Sequence, residues 1–157
     1  MAGRARKITD MRMIEFHDAI VRVRYAETDQ MGVVYHANYL VWFEVGRAEL
    51  IRALGIEYKR MEMEDDCHIV VADVHCRYHH SAQYDEVLRI RTRIEETKNR
   101  IIRFSYEVIR DADGKVLANG ETTHVICGSN GRPKMLPQKY RTVFSAIAAP
   151  QPQRSHA

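Results

Sequence analysis

The stretch 37–54, ANYLVWFEVGRAELIRAL, is the feature that most restricts how this chain folds. It carries Leu40, Val41, Trp42, Phe43, Val45, Leu50, Ile51 and Leu54 with few breakers, and it ends at Gly55, a glycine C-cap signal. Its apolar surface is wider than a single stripe, so a helix here needs cover over most of its circumference. The rest of the chain offers strands to supply it. Residues 20–25 place Val21, Val23 and Tyr25 on one face and Arg22 and Arg24 on the other, the period-two pattern of a half-buried strand. Residues 69–78 read as another strand. In 87–94, Leu88, Ile90, Thr92 and Ile94 oppose Arg89, Arg91 and Arg93, and Ile102, Phe104, Tyr106 and Val108 repeat the pattern in the next segment. Residues 111–114, DADG, form a hairpin turn, 116–127 return as a strand, 128–137 are a polar loop and 138–148 a short terminal helix. One strand, one long apolar helix and a run of antiparallel strands make an α+β arrangement, a sheet wrapped on a helix.

With 157 residues, 45% of them apolar, the chain fits one domain with a substantial core, expected over 16–148. Residues 1–15 are expected to be a flexible N-terminal segment, and 149–157, within which PQPQRSHA has nothing to bury, a disordered tail. A net charge of +3 from 24 basic and 21 acidic residues points to neither a nucleic-acid nor a membrane partner. The odd number of cysteines, Cys67, Cys76 and Cys127, argues against a disulfide framework and for reduced thiols in the cytoplasm. The N-terminal segment has basic residues but no signal-peptide apolar core. His75, Cys76, His79 and His80 invite a metal reading, but alternation splits them between two faces and no second ligand pair has zinc-site spacing, so neither metal nor cofactor is expected. Arg89, Arg91 and Arg93 look like a nucleic-acid stripe, yet Glu95 and Glu96 beside them favour a solvated sheet face.

The segment that carries chemistry lies between the first strand and the long helix. Asp29 stands there beside Gly32, which lets the backbone come close to a ligand. Unpaired N–H groups over 33–37, at the positive end of the helix, suit a carbonyl that turns into an oxyanion, and a carboxylate beside them suits acyl transfer. On local pattern alone, however, an Asp ahead of a helix is more often its cap, and a histidine such as His36 at a helix start is more often a structural hydrogen-bonder.

Residues 25–39, YAETDQMGVVYHANY, resemble the signature of the 4-hydroxybenzoyl-CoA thioesterase family, in particular its branch of bacterial acyl-CoA thioesterases associated with the Tol-Pal gene cluster. The resemblance runs over 21–137. It implies a hotdog fold, an antiparallel sheet wrapped around a long central helix, and hydrolysis of an acyl-CoA thioester to a carboxylic acid and CoA. Asp29 is then the catalytic carboxylate, as nucleophile or general base, and His36 offers its backbone N–H to the thioester carbonyl. Tyr25, Gly32, Val33, Val34, Tyr35, Asn38 and Tyr39 would surround the substrate. Histidine at position 36, where the 4-hydroxybenzoyl enzyme has tyrosine, argues against a dedicated aromatic-CoA role. The family's basic residues toward the CoA phosphates match Lys98 and Arg100, with Asn99 a departure, and Arg132 with Lys134 form a second candidate pair; solvated turn residues are the plainer reading of each. Ser81-Ala82 stands where the family often has Pro-Ala.

The resemblance also implies a homo-oligomer, a dimer or a dimer of dimers (a homotetramer), with Asp29 facing the partner subunit's residues 69–75. Acyl-CoA is the expected substrate, with acyl carrier protein as the other thiol to consider. Two further classes stay open: a hotdog hydratase or dehydratase acting on acyl thioesters, and a non-catalytic acyl-CoA-binding protein, for which the stretch before Ile20 is too short to hold an output domain.

Overall fold

Among the described residues, 14–147 of this computed structural model, the chain forms β1 (His17–Arg22), α1 (Asn38–Ala53), α2 (Tyr58–Asp65), β2 (His68–Tyr78), β3 (Val87–Lys98), β4 (Ile101–Arg110), β5 (Val116–Cys127) and α3 (Gln138–Ile147). Most of the expected flexible N-terminal segment and the whole of the tail 149–157 lie outside the described residues. The strands pair antiparallel in one sheet of order β1-β3-β4-β5-β2, which leaves β1 and β2 as edges. No helix among the described residues is long and apolar enough to cross a membrane.

The alternation in β3 and β4 is the reason the sheet has an inside. Leu88, Ile90, Thr92 and Ile94 of β3 and Ile102, Phe104, Tyr106 and Val108 of β4 are all buried, on the face of the sheet that α1 and α3 cover. The residues between them face out and pair along the surface, Arg91 with Asp18 at 2.8 Å and Arg93 with Glu107 at 3.4 Å, a solvated ladder as expected. α1 seats Tyr39, Trp42, Phe43, Leu50 and Ile51 on the sheet, each side chain contributing on the order of 1.5–3 kcal/mol by leaving water. Its buried side is narrower than its composition predicts: Leu40 and Val41 remain 41% and 50% exposed, because a single sheet covers only one side of a helix.

Two glycines let helix and sheet come this close. A Cβ on Gly46 would run into the Thr92 and Ile90 side chains, and one on Gly120 into the His75 carbonyl oxygen and the Phe43 ring. The clash at Gly120 includes backbone, which cannot swing aside. Gly120→Ala is therefore expected to destabilise the fold by roughly 3 kcal/mol, read as a lowered urea midpoint.

The core under α1 is not purely apolar. Arg47, only 8% exposed, donates from Nη1 to the Tyr106 hydroxyl at 3.1 Å; that hydroxyl lies 2.6 Å from Thr122 Oγ1, which lies 2.7 Å from His124 Nε2. Burial and the nearby Arg47 cation push the His124 imidazole down to about 3. In the unfolded chain the same group takes a proton near pH 6.5, so the unfolded state is favoured as pH falls from about 6.5 towards 3, by about 1.4 kcal/mol per pH unit. His124→Gln is expected to remove that slope: between pH 7 and pH 4.5 it should lose roughly 2–3 kcal/mol less stability than the parent, measured by urea unfolding at both pH values.

Three local features differ from expectation. β1 begins earlier and stops at Arg22, not Tyr25; Val23 is still buried, but the chain then enters a 3-10 turn at Tyr25–Glu27 and the Tyr25 ring is 78% exposed. α2 carries no sequence signal of a buried face, since Met61 is its sole buried residue. β3 continues to Lys98 through a bulge between Ile94 and Glu96, where two residues span one step of β4. On β2, pairing is to β5 alone, and Val70, Val71, Val74 and Tyr78 are exposed.

Candidate active site

The loop after β1 is held from inside by Glu27, a buried carboxylate. It accepts from the Arg24 N–H at 2.7 Å and the Trp42 indole N–H at 3.3 Å, while its carbonyl accepts from the Tyr35 N–H at 2.9 Å and the Asn38 side-chain amide at 2.8 Å. Sequence reasoning missed Glu27, because only its burial distinguishes it from any loop glutamate. Isolated bridges pair Thr28 with Val34 and Val33 with Gln83, and Gly32 turns the chain at φ 77°.

Asp29 sits at this bend. Its Oδ1 accepts the Met31 N–H at 2.8 Å, an Asx turn, and its own N–H donates to the Val33 carbonyl at 2.9 Å. The cap reading does not hold: the N-cap of α1 is Ala37, without a side-chain cap bond. Oδ2 of Asp29 has no hydrogen-bond partner among the described residues, and Asp29 lines a cleft of about 360 Å³.

The same cleft is lined by Val33, Val34 and His36 from the loop, Tyr39 from α1, and Tyr78, His79, His80 and Ser81 from the end of β2 and the segment after it. Backbone donors here divide clearly. The Val34 N–H is engaged by the Ala82 carbonyl and the Tyr35 N–H by that of Glu27, whereas those of Val33, His36 and Ala37 donate to no acceptor among the described residues. Above them the Tyr78 hydroxyl donates to the His36 carbonyl at 2.9 Å, and the Tyr78 ring meets Tyr39 edge-on, centroids 5.0 Å apart. His79 Nε2 lies 2.5 Å from Asn119 Oδ1. The sequence ties His79 and His80 only to a discounted metal reading and gives no link from the wall Tyr78 to Ser81 to Asp29, because Tyr78 and His36 are 42 positions apart and only the fold brings them together.

The remaining candidates fall elsewhere. Tyr25 packs edge-on against Tyr84 at 5.8 Å, outside the cleft, and the Asn38 amide is engaged by Glu27. Gly32 shapes the turn without lining the cleft, and the half-exposed Tyr35 ring lies tilted against that of His36, centroids 4.4 Å apart. Lys98 and Arg100 flank the β3–β4 turn, where Asn99 adopts φ 51°. The loop 128–137 lies against that turn: the Ile126 N–H donates to the Arg100 carbonyl and the Leu136 N–H to that of Asn99. Lys98, Arg100 and Arg132 thus share one end of the sheet. Lys134 Nζ instead donates to the Asp65 and Asp66 carbonyls at 3.1 and 3.0 Å, closing the C-terminus of α2.

Asp29 is at the opposite end, where Val34 bonds to Ala82 and Val23 to Glu86. β3, with 12 residues, separates the two ends. At about 3.3 Å per residue that is roughly 35–40 Å.

The fold is that of the hotdog thioesterases: the chain superposes on the DHNA-CoA thioesterase of Staphylococcus aureus with a TM-score of 0.79 and 29% identity, covering 84% of this chain and 90% of that one. A family model described as the thioesterase-like superfamily matches residues 23–150, and the chain belongs to that family. YneP of Bacillus subtilis is 41% identical over 105 residues, 67% of this chain and 75% of that protein. The acyl-CoA thioesterase YbgC of Haemophilus influenzae is 32% identical over 126 residues, 79% of this chain and 90% of its own length. The chain is a thioester hydrolase, in agreement with the resemblance carried by residues 25–39.

Proposed function

We propose that this chain hydrolyses acyl-CoA thioesters with Asp29 as its catalytic carboxylate and the N–H groups of His36 and Ala37 as its oxyanion hole, in a cleft that a second subunit completes. The observation that carries the reading is that Asp29, whose Oδ2 has no partner among the described residues, lines the same cleft as His36, whose N–H is unengaged just before α1. A thioester carbonyl oxygen against these N–H groups gains polarisation that grows as charge moves onto it. Asp29 then either attacks the carbonyl carbon, giving a mixed anhydride that water hydrolyses, or takes a proton from the attacking water. In both routes the C–S bond breaks and CoA leaves as the thiolate. Thiol release from acyl-CoA by the parent chain and by Asp29→Asn, with enoyl-CoA hydration measured alongside, tests this reading against the hydratase alternative.

The partner follows from the sheet. β2 offers an unpaired edge with exposed Val70, Val71 and Val74, and α1 exposes Leu40 and Val41. Two copies related by a two-fold axis would pair β2 antiparallel to β2 and remove both liabilities. That pairing sets the His68 end of one β2 beside the Tyr78 end of the other. In the strand register His68 faces Cys127, and the Lys98–Arg100 turn and Arg132 lie at that same end. The partner's basic turn then reaches the cleft that Asp29 of this subunit lines, which no arrangement within one chain achieves. Lys98, Arg100 and Arg132 would hold the CoA phosphates in trans, and Lys134, engaged at α2, would not. Reduced thiols fit a cytoplasmic enzyme: Cys67 is buried and its thiol is pushed up to about 11 by that burial. Dimer of dimers remains the expected higher assembly.

A further inference from the structure

We infer that Tyr78 is a positioning residue for the oxyanion hole, acting through the peptide unit that joins His36 to Ala37. Its hydroxyl donates to the His36 carbonyl oxygen at 2.9 Å. The N–H on the other side of that peptide unit is the Ala37 N–H, which has no acceptor among the described residues and directly follows His36, a residue that lines the cleft. A hydrogen bond to a peptide carbonyl draws electron density toward the oxygen and leaves the attached N–H a stronger donor, so hydroxyl, peptide and substrate oxygen form one polarised chain. The same bond fixes the plane of the peptide. Without it the His36 carbonyl is left with the long 3.3 Å bond from the Tyr39 N–H, and the first turn of α1 is free to tilt.

Tyr78 is held for this task from two sides. Its backbone is in register with Ala118 at the end of β2, and its ring meets both Tyr39, at 5.0 Å, and His36, at 6.4 Å, edge-on. Burial of the hydroxyl, with Cys76 and Tyr39 beside it, keeps the phenol well above its ordinary titration range, so it stays a donor at any working pH.

The inference rests on assigning the oxyanion hole to His36 and Ala37, and the experiment separates the two. Tyr78→Phe keeps the ring contacts and removes one oxygen. Because a donor is weakened rather than lost, kcat for acyl-CoA hydrolysis should fall roughly 5–20-fold with KM within about twofold. The second readout is the infrared carbonyl stretch of benzoyl-CoA bound to the Asp29→Asn variant. It should lie below that of free benzoyl-CoA, return part of the way when Tyr78→Phe is added, and fall further with 3-fluorotyrosine at position 78. A role confined to packing would shift thermal stability or KM and leave the stretch alone, which overturns the inference. If the stretch falls on binding and ignores position 78, the oxyanion assignment stands and the role of Tyr78 is rejected. If it does not fall at all, both are rejected.

Discussion

Asp29→Asn should fold and assemble like the parent and release thiol from acyl-CoA at least about 10³-fold more slowly, the scale on which catalytic acid–base and nucleophilic groups act. The substitution is selective for a structural reason. Asparagine retains Oδ1, so the Asx turn onto the Met31 N–H survives, along with the backbone bond from residue 29 to Val33. What disappears is the negative charge of the carboxylate, whose Oδ2 has no hydrogen-bond partner among the described residues. Gel filtration and thermal melting check that the fold is kept, and a free-thiol assay gives the rate. A variant that keeps more than about a tenth of the parental kcat would remove Asp29 from the reaction, since a capping or turn role alone predicts no such loss.

Complementation between two damaged subunits tests the shared site. The double variant Lys98→Ala with Arg100→Ala should raise KM for acyl-CoA roughly tenfold or more, and spare thioesters of short thiols that lack the nucleotide. Mixed by co-refolding with Asp29→Asn, it should regain low-KM activity. In each mixed dimer one cleft combines an intact Asp29 from one chain with an intact basic turn from the other, and random pairing makes roughly a quarter of all clefts whole. The distance along β3 sets this expectation, since residues at opposite ends of a 12-residue strand cannot grip the two ends of one CoA ester within a single chain. Kinetics of the mixture that stay at the high KM of the double variant would place phosphate binding and catalysis in one subunit.

Most of the architecture is legible in the chain because it rests on long, regular patterns. α1 and the alternation in β3, β4 and β5 are each set by a repeated contrast between apolar and polar residues. Where the pattern outruns the ladder it misleads: Val21, Val23 and Tyr25 alternate well, but Glu27 draws the chain into a turn before Tyr25 can join the sheet. Where burial is sparse the pattern is silent, as in α2, a helix with one buried residue among charges. The site divides in the same way. Asp29 and His36 lie close in sequence and can be proposed together, whereas the engagement of Lys134 by α2 and the reach of Tyr78 to His36 depend on residues more than forty positions away. Arg47 reads as one polar interruption of an apolar helix, and its partner Tyr106, together with Thr122 beyond it, comes from strands that local periodicity does not connect.

The bulge in β3 decides which way the far end of the hairpin points. Up to Ile94 the even-numbered residues face the core, and an unbroken strand would carry that parity on and aim Lys98 inward with Leu88 and Ile90. The extra residue between Ile94 and Glu96 reverses it. Thr97 Oγ1 is the atom that ends up buried, Glu96 turns out to meet Arg103 at 3.8 Å, and Lys98 is exposed. Deleting Glu95 would therefore leave the lysine facing out, since Glu96, Thr97 and Lys98 would follow Ile94 in plain alternation, whereas flattening the bulge with every residue kept would turn the lysine into hydrocarbon. The reach of this hairpin can change over time only in two-residue steps, about 6.6 Å each, or by moving the bulge itself.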